Sequence, residues 1–156
     1  MTKSKGWNWK IASDDINSTW KVPSIESYYL LNRWSSLGFK DFLDLGCGIG
    51  RHTVLFAGNG FNTCGFDISK YGLDKTKEWL DSLNLSANLK EGDMLDLPYE
   101  NGSFDCILCR NVISHQDTLG VKQIIKELYR VLKDNGEVYL LLVLNLLGDL
   151  SKLLGL

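Results

Sequence analysis

The sequence predicts an α/β domain built on a doubly wound parallel sheet. From residue 41 onward, short β-like runs alternate with segments of helical periodicity. Each β-like run closes on a glycine, an aspartate or a turn-forming cluster. The chain has 156 residues, of which 44% are hydrophobic, so it can bury one core of ordinary size. Alternation at this density favours a parallel sheet with helices on both faces and right-handed crossovers.

Five segments have the pattern of strands, and their ends predict where a ligand binds. In open parallel sheets, ligands lie beyond the carboxyl ends of the strands, near the point where the strand order reverses. The first predicted strand ends directly at a cluster of glycines. The predicted strands are 41–46, 61–67, 86–93, 104–109 and 137–143.

Helices are predicted before and between the strands. The clearest pattern places apolar residues at helical spacing from Val121 to Leu132. Asp117 or Thr118 is the predicted N-cap of this helix, and Gly136 lies beyond its C-terminus. The other predicted helices are 24–38, 51–58 and about 73–83.

The chain divides into three parts by composition. Residues 1–40 are an aromatic helical segment, residues 41–143 are the predicted ligand-binding domain, and residues 144–156 are a leucine-rich tail. The aromatic segment either covers the pocket as a lid or packs against one face of the sheet. Packing is favoured, because aromatic residues at helical spacing are usually core. The four tryptophans of this segment are Trp7, Trp9, Trp20 and Trp34.

Charge and hydropathy disfavour several classes of partner. The formal net charge is −2, and the lysines and arginines are spread singly, so nucleic acid is not expected as a partner. No apolar run approaches the ~18 residues that would span a bilayer, and the first residues lack a signal-peptide core. We therefore expect a cytoplasmic protein without membrane association. Two histidines and four cysteines give no metal-ligand spacing, so no metal site is predicted. The pair Cys106 and Cys109 lies within a predicted strand and points to opposite faces.

The glycine cluster in "FLDLGCGIGRH" indicates a ligand that lies against bare backbone at a helix N-terminus. The dinucleotide fingerprint fails here, because Arg51 or Thr53 stands where its third glycine belongs. Asp44, two residues before Gly46, would repel a pyrophosphate but suits a positively charged ligand. A nicotinamide dehydrogenase is therefore the less favoured interpretation. S-adenosylmethionine, with a sulfonium, an ammonium group and no phosphate, fits better.

Acids at the ends of the next two strands agree with this cofactor. Asp67 follows Gly46 by 21 positions, where a carboxylate can accept both ribose hydroxyls. Asp93 is expected to take an exocyclic amine, and the Met94 thioether to pack on an adenine face.

Four motifs in order resemble those of the class I S-adenosylmethionine-dependent methyltransferases, of the broad type-11 small-molecule group. They are "FLDLGCGIGRHT", "GFDIS", "GDMLDLPYENGSFDCILCRNVISH" and "ELYRVLKDNGEVYL", and the match covers residues 41–143. The resemblance implies a Rossmann-like fold, a bound S-adenosylmethionine and S-adenosylhomocysteine as product. It also implies cofactor contacts for Gly46, Cys47, Gly48 and Gly50, for Asp67 and Ile68, for Asp93 and Met94, and for Arg110 and Asn111.

The resemblance implies methyl transfer to a small-molecule acceptor by in-line displacement. The segment "CRNV" lacks the Asn-Pro-Pro-Tyr type of motif found where base amines are methylated. His115 is the histidine placed to act as a base, and the alternative is that it orders its loop. A cofactor-binding domain or fragment without turnover is the alternative function.

The tail departs from the family pattern. Family members continue past the fifth strand, whereas "LNLLGDLSKLLGL" resembles no family segment. We hypothesise a truncation or a change of reading frame after about Val143, which would leave a sheet edge open to self-association. An interfacial membrane helix is the alternative for the tail, although Lys152 against Asp149 is a thin basic face.

Overall fold

A computed structural model describes residues 6–10, 19–113 and 116–141. These residues form a five-stranded sheet, four helices and a short 3-10 turn at Thr19–Lys21. The strands are β1 (Asp41–Leu45), β2 (Asn62–Asp67), β3 (Asn88–Glu91), β4 (Phe104–Arg110) and β5 (Leu132–Leu141). The helices are α1 (Ile25–Ser36), α2 (Arg51–Gly58), α3 (Lys70–Ser82) and α4 (Thr118–Val131).

All four strand pairings in the sheet are parallel, and the strand order is β3-β2-β1-β4-β5. The chain runs outward from β1 to β3 and then crosses to β4 on the other side of β1. The order thus reverses between β1 and β4, where the carboxyl ends of both strands open into a crevice. This confirms the predicted Rossmann-like parallel sheet.

The core forms two layers because neighbouring strand residues face opposite sides of the sheet. Leu43 and Ile107 belong to the layer that α4 covers, whereas Phe42 and Leu108 belong to the layer of α1 and α2. Cys106 and Cys109 fall in different layers, as their spacing predicts. Within the second layer, Trp34, Phe42, Phe56 and Phe61 pack ring against ring.

Helix α1 is joined to β5 through one carboxylate. Arg33 donates two hydrogen bonds to Glu137, and the indole Nε1 of Trp34 donates a third at 2.9 Å. Trp34 has no exposed surface, so its N–H needs this acceptor. This contact fixes α1 over the sheet.

The end of the last helix differs from the prediction. Helical periodicity continues through Leu132, but α4 ends at Val131 and Leu132 already pairs with Phe104. Lys133 then bridges the carboxylates of Asp41 and Asp105 at 2.6 and 3.1 Å. These contacts with the sheet override the helical pattern. Asp117 is confirmed as the N-cap, because its side chain accepts a hydrogen bond from the N–H of Gly120 at 2.7 Å.

Strand β3 is shorter than predicted, while β1, β2 and β4 match their predictions to within about one residue. In the described sheet β5 has β4 as its single neighbour, and self-association through its other edge stays a prediction. The tail, residues 144–156, lies outside the described residues. None of the helices in the described ranges is long and apolar enough to cross a membrane.

Candidate functional site

A cavity of about 310 Å³ opens at the carboxyl ends of β1, β2 and β4. Its place is the point where the strand order reverses, as the glycine cluster predicts. Its wall combines the loop after β1, the ends of the neighbouring strands and the N-terminal segment. The lining residues are Gly6, Trp7, Trp9, Trp20, Asp44, Gly46, Cys47, Ile49, Arg51, His52, Phe66, Asp67, Ile68, Gly92, Met94, Arg110, Asn111 and Val112.

The glycines of the loop after β1 have different neighbours. A side chain on Gly46 would collide with Val112 in the loop after β4, and one on Gly48 would collide with the ring of Trp9. Gly50 faces away from the cavity, where a Cβ would lie 2.5 Å from the methyl carbon of Thr76 in α3. Gly48 and Gly50 therefore do not line the cavity, contrary to expectation: an indole covers the first, and the second allows α3 to approach.

Asp67 holds the loop to the end of β2. One carboxylate oxygen accepts the N–H of Gly48, and the other accepts the N–H of Ser69, both at 2.8 Å. A carboxylate has about four acceptor positions, so these two bonds do not exhaust its capacity. Burial raises the pKa of Asp67, and the backbone N–H groups oppose this shift. The side chain lines the cavity where the sequence predicts a ribose-binding acid.

Asp44 lies at the centre of the site and is almost fully buried. Its carboxylate accepts a hydrogen bond from the hydroxyl of Thr53 at 2.7 Å. Burial raises the pKa of Asp44 to about 7, against an ordinary value of 3.8. Near neutral pH, the protonation state of Asp44 therefore responds to the charge of whatever enters the cavity.

His52 lines the cavity but is not among the predicted site residues. Its Nε2 accepts a hydrogen bond from the N–H of Ser24, at the start of α1, over 3.3 Å. Burial, with the positive charges of Arg51 and Arg110, lowers the pKa of His52 to about 3. The ring is therefore neutral at physiological pH. Its position one residue after Arg51 in the glycine-loop motif is the signal that could have found it.

Two arginines lie at the end of the cavity nearest β4. Arg110 ends β4, and its Nε lies 4.0 Å from a carboxylate oxygen of Glu26 in α1. Arg51 begins α2 and donates from Nη1 to the carbonyl of Val22 at 3.4 Å. Both guanidinium groups are partly buried, so water screens them less than it would screen surface charges.

The N-terminal segment forms the outer wall. Trp7 and Trp9 pack on Trp20 with ring centroids 6.1 and 5.5 Å apart, and the guanidinium of Arg51 lies 5.5 Å from the Trp20 ring centre. These three tryptophans line the cavity, whereas Trp34 is core. The favoured packing interpretation is therefore correct for Trp34 and wrong for the other three, which cover the site.

The remaining predicted residues divide between the cavity and its surroundings. Cys47, Ile68, Met94, Arg110 and Asn111 line the cavity. Asp93 does not: its Oδ1 accepts the N–H of Leu95 at 3.0 Å and closes the turn after β3. His115 lies outside the described residues.

Comparison with known proteins identifies the family. The sequence profile described as "Methyltransferase domain" matches residues 42–136. The chain belongs to the class I methyltransferases. The chain is 36% identical over 127 residues to the demethylmenaquinone methyltransferase of Lactobacillus johnsonii, a match that covers 70% of this chain and 50% of that protein. It is 32% identical over 97 residues to the sterol 24-C-methyltransferase of Pneumocystis carinii, covering 60% of this chain and 25% of that protein.

A solved structure agrees with the family. The methyltransferase fold of this chain matches a protein of Methanococcus maripaludis, described as a candidate S-adenosyl-L-methionine-dependent methyltransferase, with a TM-score of 0.73 and 25% identity. That match covers 91% of this chain and 67% of the other. Against the two curated relatives, this chain spans between a quarter and a half of their length.

Proposed function

We propose that this chain binds S-adenosylmethionine and transfers its methyl group to a small-molecule acceptor. The observation that carries the proposal is a cavity at the sheet's switch point that combines a glycine loop with two buried acids, Asp44 and Asp67. The membership in the methyltransferase family supports the same conclusion. The chemistry that S-adenosylmethionine supplies when bound is a methyl group on a sulfonium, open to in-line displacement.

The residues present fit this cofactor. Asp67 keeps unused acceptor positions next to the loop, which suits the two hydroxyls of a ribose. Met94 and Ile68 offer apolar surface beside it for a planar base. Asp44 offers negative charge to a positively charged ligand, and such a ligand would lower the pKa of Asp44.

The chain's own contribution is mainly alignment and the exclusion of water. The tryptophans of the outer wall shield the cavity, and the Asp67 carboxylate fixes the loop. His52 cannot serve as a base near neutral pH, because its pKa is about 3 and its Nε2 accepts the N–H of Ser24. His115 as a base stays a prediction.

A small acceptor is favoured by the relatives and by charge. The names of the two curated relatives specify demethylmenaquinone and a sterol, both small molecules. The net charge of −2 disfavours nucleic acid. A second candidate is a cofactor-binding domain without turnover, since membership in the family does not by itself establish transfer.

Calorimetric titration with S-adenosylhomocysteine tests the proposal. We expect the wild-type chain to bind it, and Asp67→Ala to weaken binding ~10- to 150-fold, the equivalent of ~1.5–3 kcal/mol for a charged hydrogen bond. Asp74→Ala is the matched control, because Asp74 is an exposed acid paired with Lys70 on α3. Unchanged binding in Asp67→Ala would contradict the ribose assignment, and binding of a nicotinamide dinucleotide instead would refute the cofactor.

Turnover needs a separate measurement. A methyl-transfer assay with labelled S-adenosylmethionine over a panel of small acceptors distinguishes the enzyme from the binding domain. Product formation with any acceptor supports the enzyme. Tight cofactor binding without product over the whole panel supports the alternative.

A further inference from the structure

The cavity has an acidic and a basic end. Asp67 ends β2 and Arg110 ends β4, with β1 between them in the sheet. Since neighbouring strands lie ~4.8 Å apart, these two strand ends are separated by roughly 10 Å. We call Arg51 and Arg110, with their surroundings, the basic end.

Arg110 has an unused donor at this end. Its Nε is buried and has no hydrogen-bond partner. The nearest carboxylate oxygen, Oε2 of Glu26, lies 4.0 Å away, is also buried and likewise lacks a partner. A separation of 4.0 Å is too long for a hydrogen bond, and burying a charged donor without an acceptor is costly. Arg110 also lines the cavity, so its guanidinium is positioned for a hydrogen-bond acceptor that the described residues do not provide.

Arg51 adds a second positive charge. Burial lowers the pKa of Arg51, and the positive charge of Arg110 lowers it further, so the two guanidinium groups repel each other. Among described residues, Glu26 pairs with Arg110, and the negative charges of Asp44 and Glu26 both act on Arg51. Because burial raises the pKa of Asp44 to about 7, this acid is only partly ionised near neutral pH, and the two carboxylates do not fully neutralise the two guanidinium groups.

We propose that the basic end binds a carboxylate of the methyl acceptor, and that the acceptor's aromatic body packs on the indole wall beside it. The inference rests on the proposed function and specifies its substrate class. Trp20 joins the indole wall to the basic end, because its ring contacts Trp7 and Trp9 and lies under the Arg51 guanidinium. The assignment moves Arg110 from the cofactor to the acceptor. A sulfonium next to the Arg110 guanidinium would place two positive charges together, whereas a carboxylate in that position would attract the guanidinium and accept its hydrogen bonds.

A pair of isosteric probes tests the charge requirement. 2-Naphthoate and the neutral 2-naphthamide are titrated into the wild-type chain, with and without saturating S-adenosylhomocysteine. We expect naphthoate to bind ~10- to 150-fold more tightly than naphthamide, as expected for charged hydrogen bonds. Arg110→Gln should abolish this preference and leave the affinity for S-adenosylhomocysteine within about 2-fold. Arg33→Gln is the matched control, since Arg33 pairs with Glu137 outside the cavity.

Two further variants keep the test decisive if Arg110→Gln fails to fold. Arg51→Gln should also reduce the preference for naphthoate, and Arg110→Lys should retain part of it, because lysine keeps the charge but loses the planar fork. Equal affinities of the two probes for the wild-type chain would overturn the proposal. An equal loss of S-adenosylhomocysteine affinity in Arg110→Gln would also overturn it, because the guanidinium would then bind the cofactor's carboxylate. Failure of S-adenosylhomocysteine to bind the wild-type chain would instead refute the proposed function, while the titration of naphthoate alone still decides the anion site.

Discussion

Two buried groups of the site should oppose each other in the pH dependence of stability. Asp44 has a pKa of about 7 in the folded chain and an ordinary value of 3.8. His52 has a pKa of about 3 in the folded chain and an ordinary value of 6.5. Between about pH 5 and pH 6 the folded chain therefore keeps Asp44 protonated and His52 neutral, whereas unfolding releases a proton from Asp44 and protonates His52.

The signs of the two contributions are opposite. For Asp44, the unfolded chain binds fewer protons than the folded chain, so the free energy of unfolding falls as the pH rises towards 7. For His52, the unfolded chain binds more protons, so the free energy of unfolding rises as the pH increases towards 6.5. Each contribution changes by about 1.2 kcal/mol from about pH 5 to about pH 6. In the wild-type chain, these two contributions nearly cancel.

Single substitutions should reveal each contribution. Asp44→Asn can still accept the hydroxyl of Thr53, and His52→Gln can still accept the N–H of Ser24. Over this pH interval, we expect the free energy of unfolding to rise by about 1.2 kcal/mol relative to wild type in Asp44→Asn and to fall by about 1.2 kcal/mol in His52→Gln.

Urea unfolding at about pH 5, 5.5 and 6 measures these differences. Subtracting the wild-type values removes the contribution of every other titrating group that the variant leaves unchanged. Parallel curves for the wild-type chain and both variants would refute the reasoning, since they would mean that neither group changes its pKa on folding.

Three further outcomes follow from the packing around the site. Gly50→Ala should lower the free energy of unfolding by about 1–3 kcal/mol, because the new Cβ meets Thr76 and the residue has a φ of 92°; an unchanged urea midpoint would contradict this. Glu127→Gln should cost about 1–3 kcal/mol in the same measurement, because the buried carboxylate accepts two hydrogen bonds from Arg130. Thiol reagents should label the native chain much more slowly than the urea-unfolded chain, since burial raises the pKa values of all four cysteines; equal rates would be inconsistent with the burial of Cys47, Cys106 and Cys109.

Much of the fold could be predicted because its determinants are local. Strands β1, β2 and β4 are apolar runs closed by turn residues, and these place Asp44 and Asp67 at adjacent strand ends whatever the helices do. The end of α4 could not be predicted, since its periodicity continues into Leu132. The pairing of that residue with Phe104 decides the boundary, and this contact joins distant parts of the chain.

The contrast between local patterns and contacts from distant parts of the chain also explains which site residues the sequence could not predict. The motif predicts that Gly50 lies near a ligand, but the structure shows that a glycine is needed here because Thr76 of α3 approaches it. The involvement of His52 depends on where α1 begins, because the N–H of Ser24 fixes its ring. The position of Trp9 against Gly48 depends on the path of the N-terminal segment, which no local pattern in the sequence specifies.

The contact between Trp9 and Gly48 gives the protein an intrinsic optical reporter. An adenosyl compound that approaches the backbone at Gly48 must move this indole, and with it the edge-to-face pair that Trp9 forms with Trp20. The emission of Trp34, which is sealed in the core, should stay constant. Occupancy of the crevice can therefore be followed by fluorescence without any label, and a Trp9→Phe chain provides the baseline.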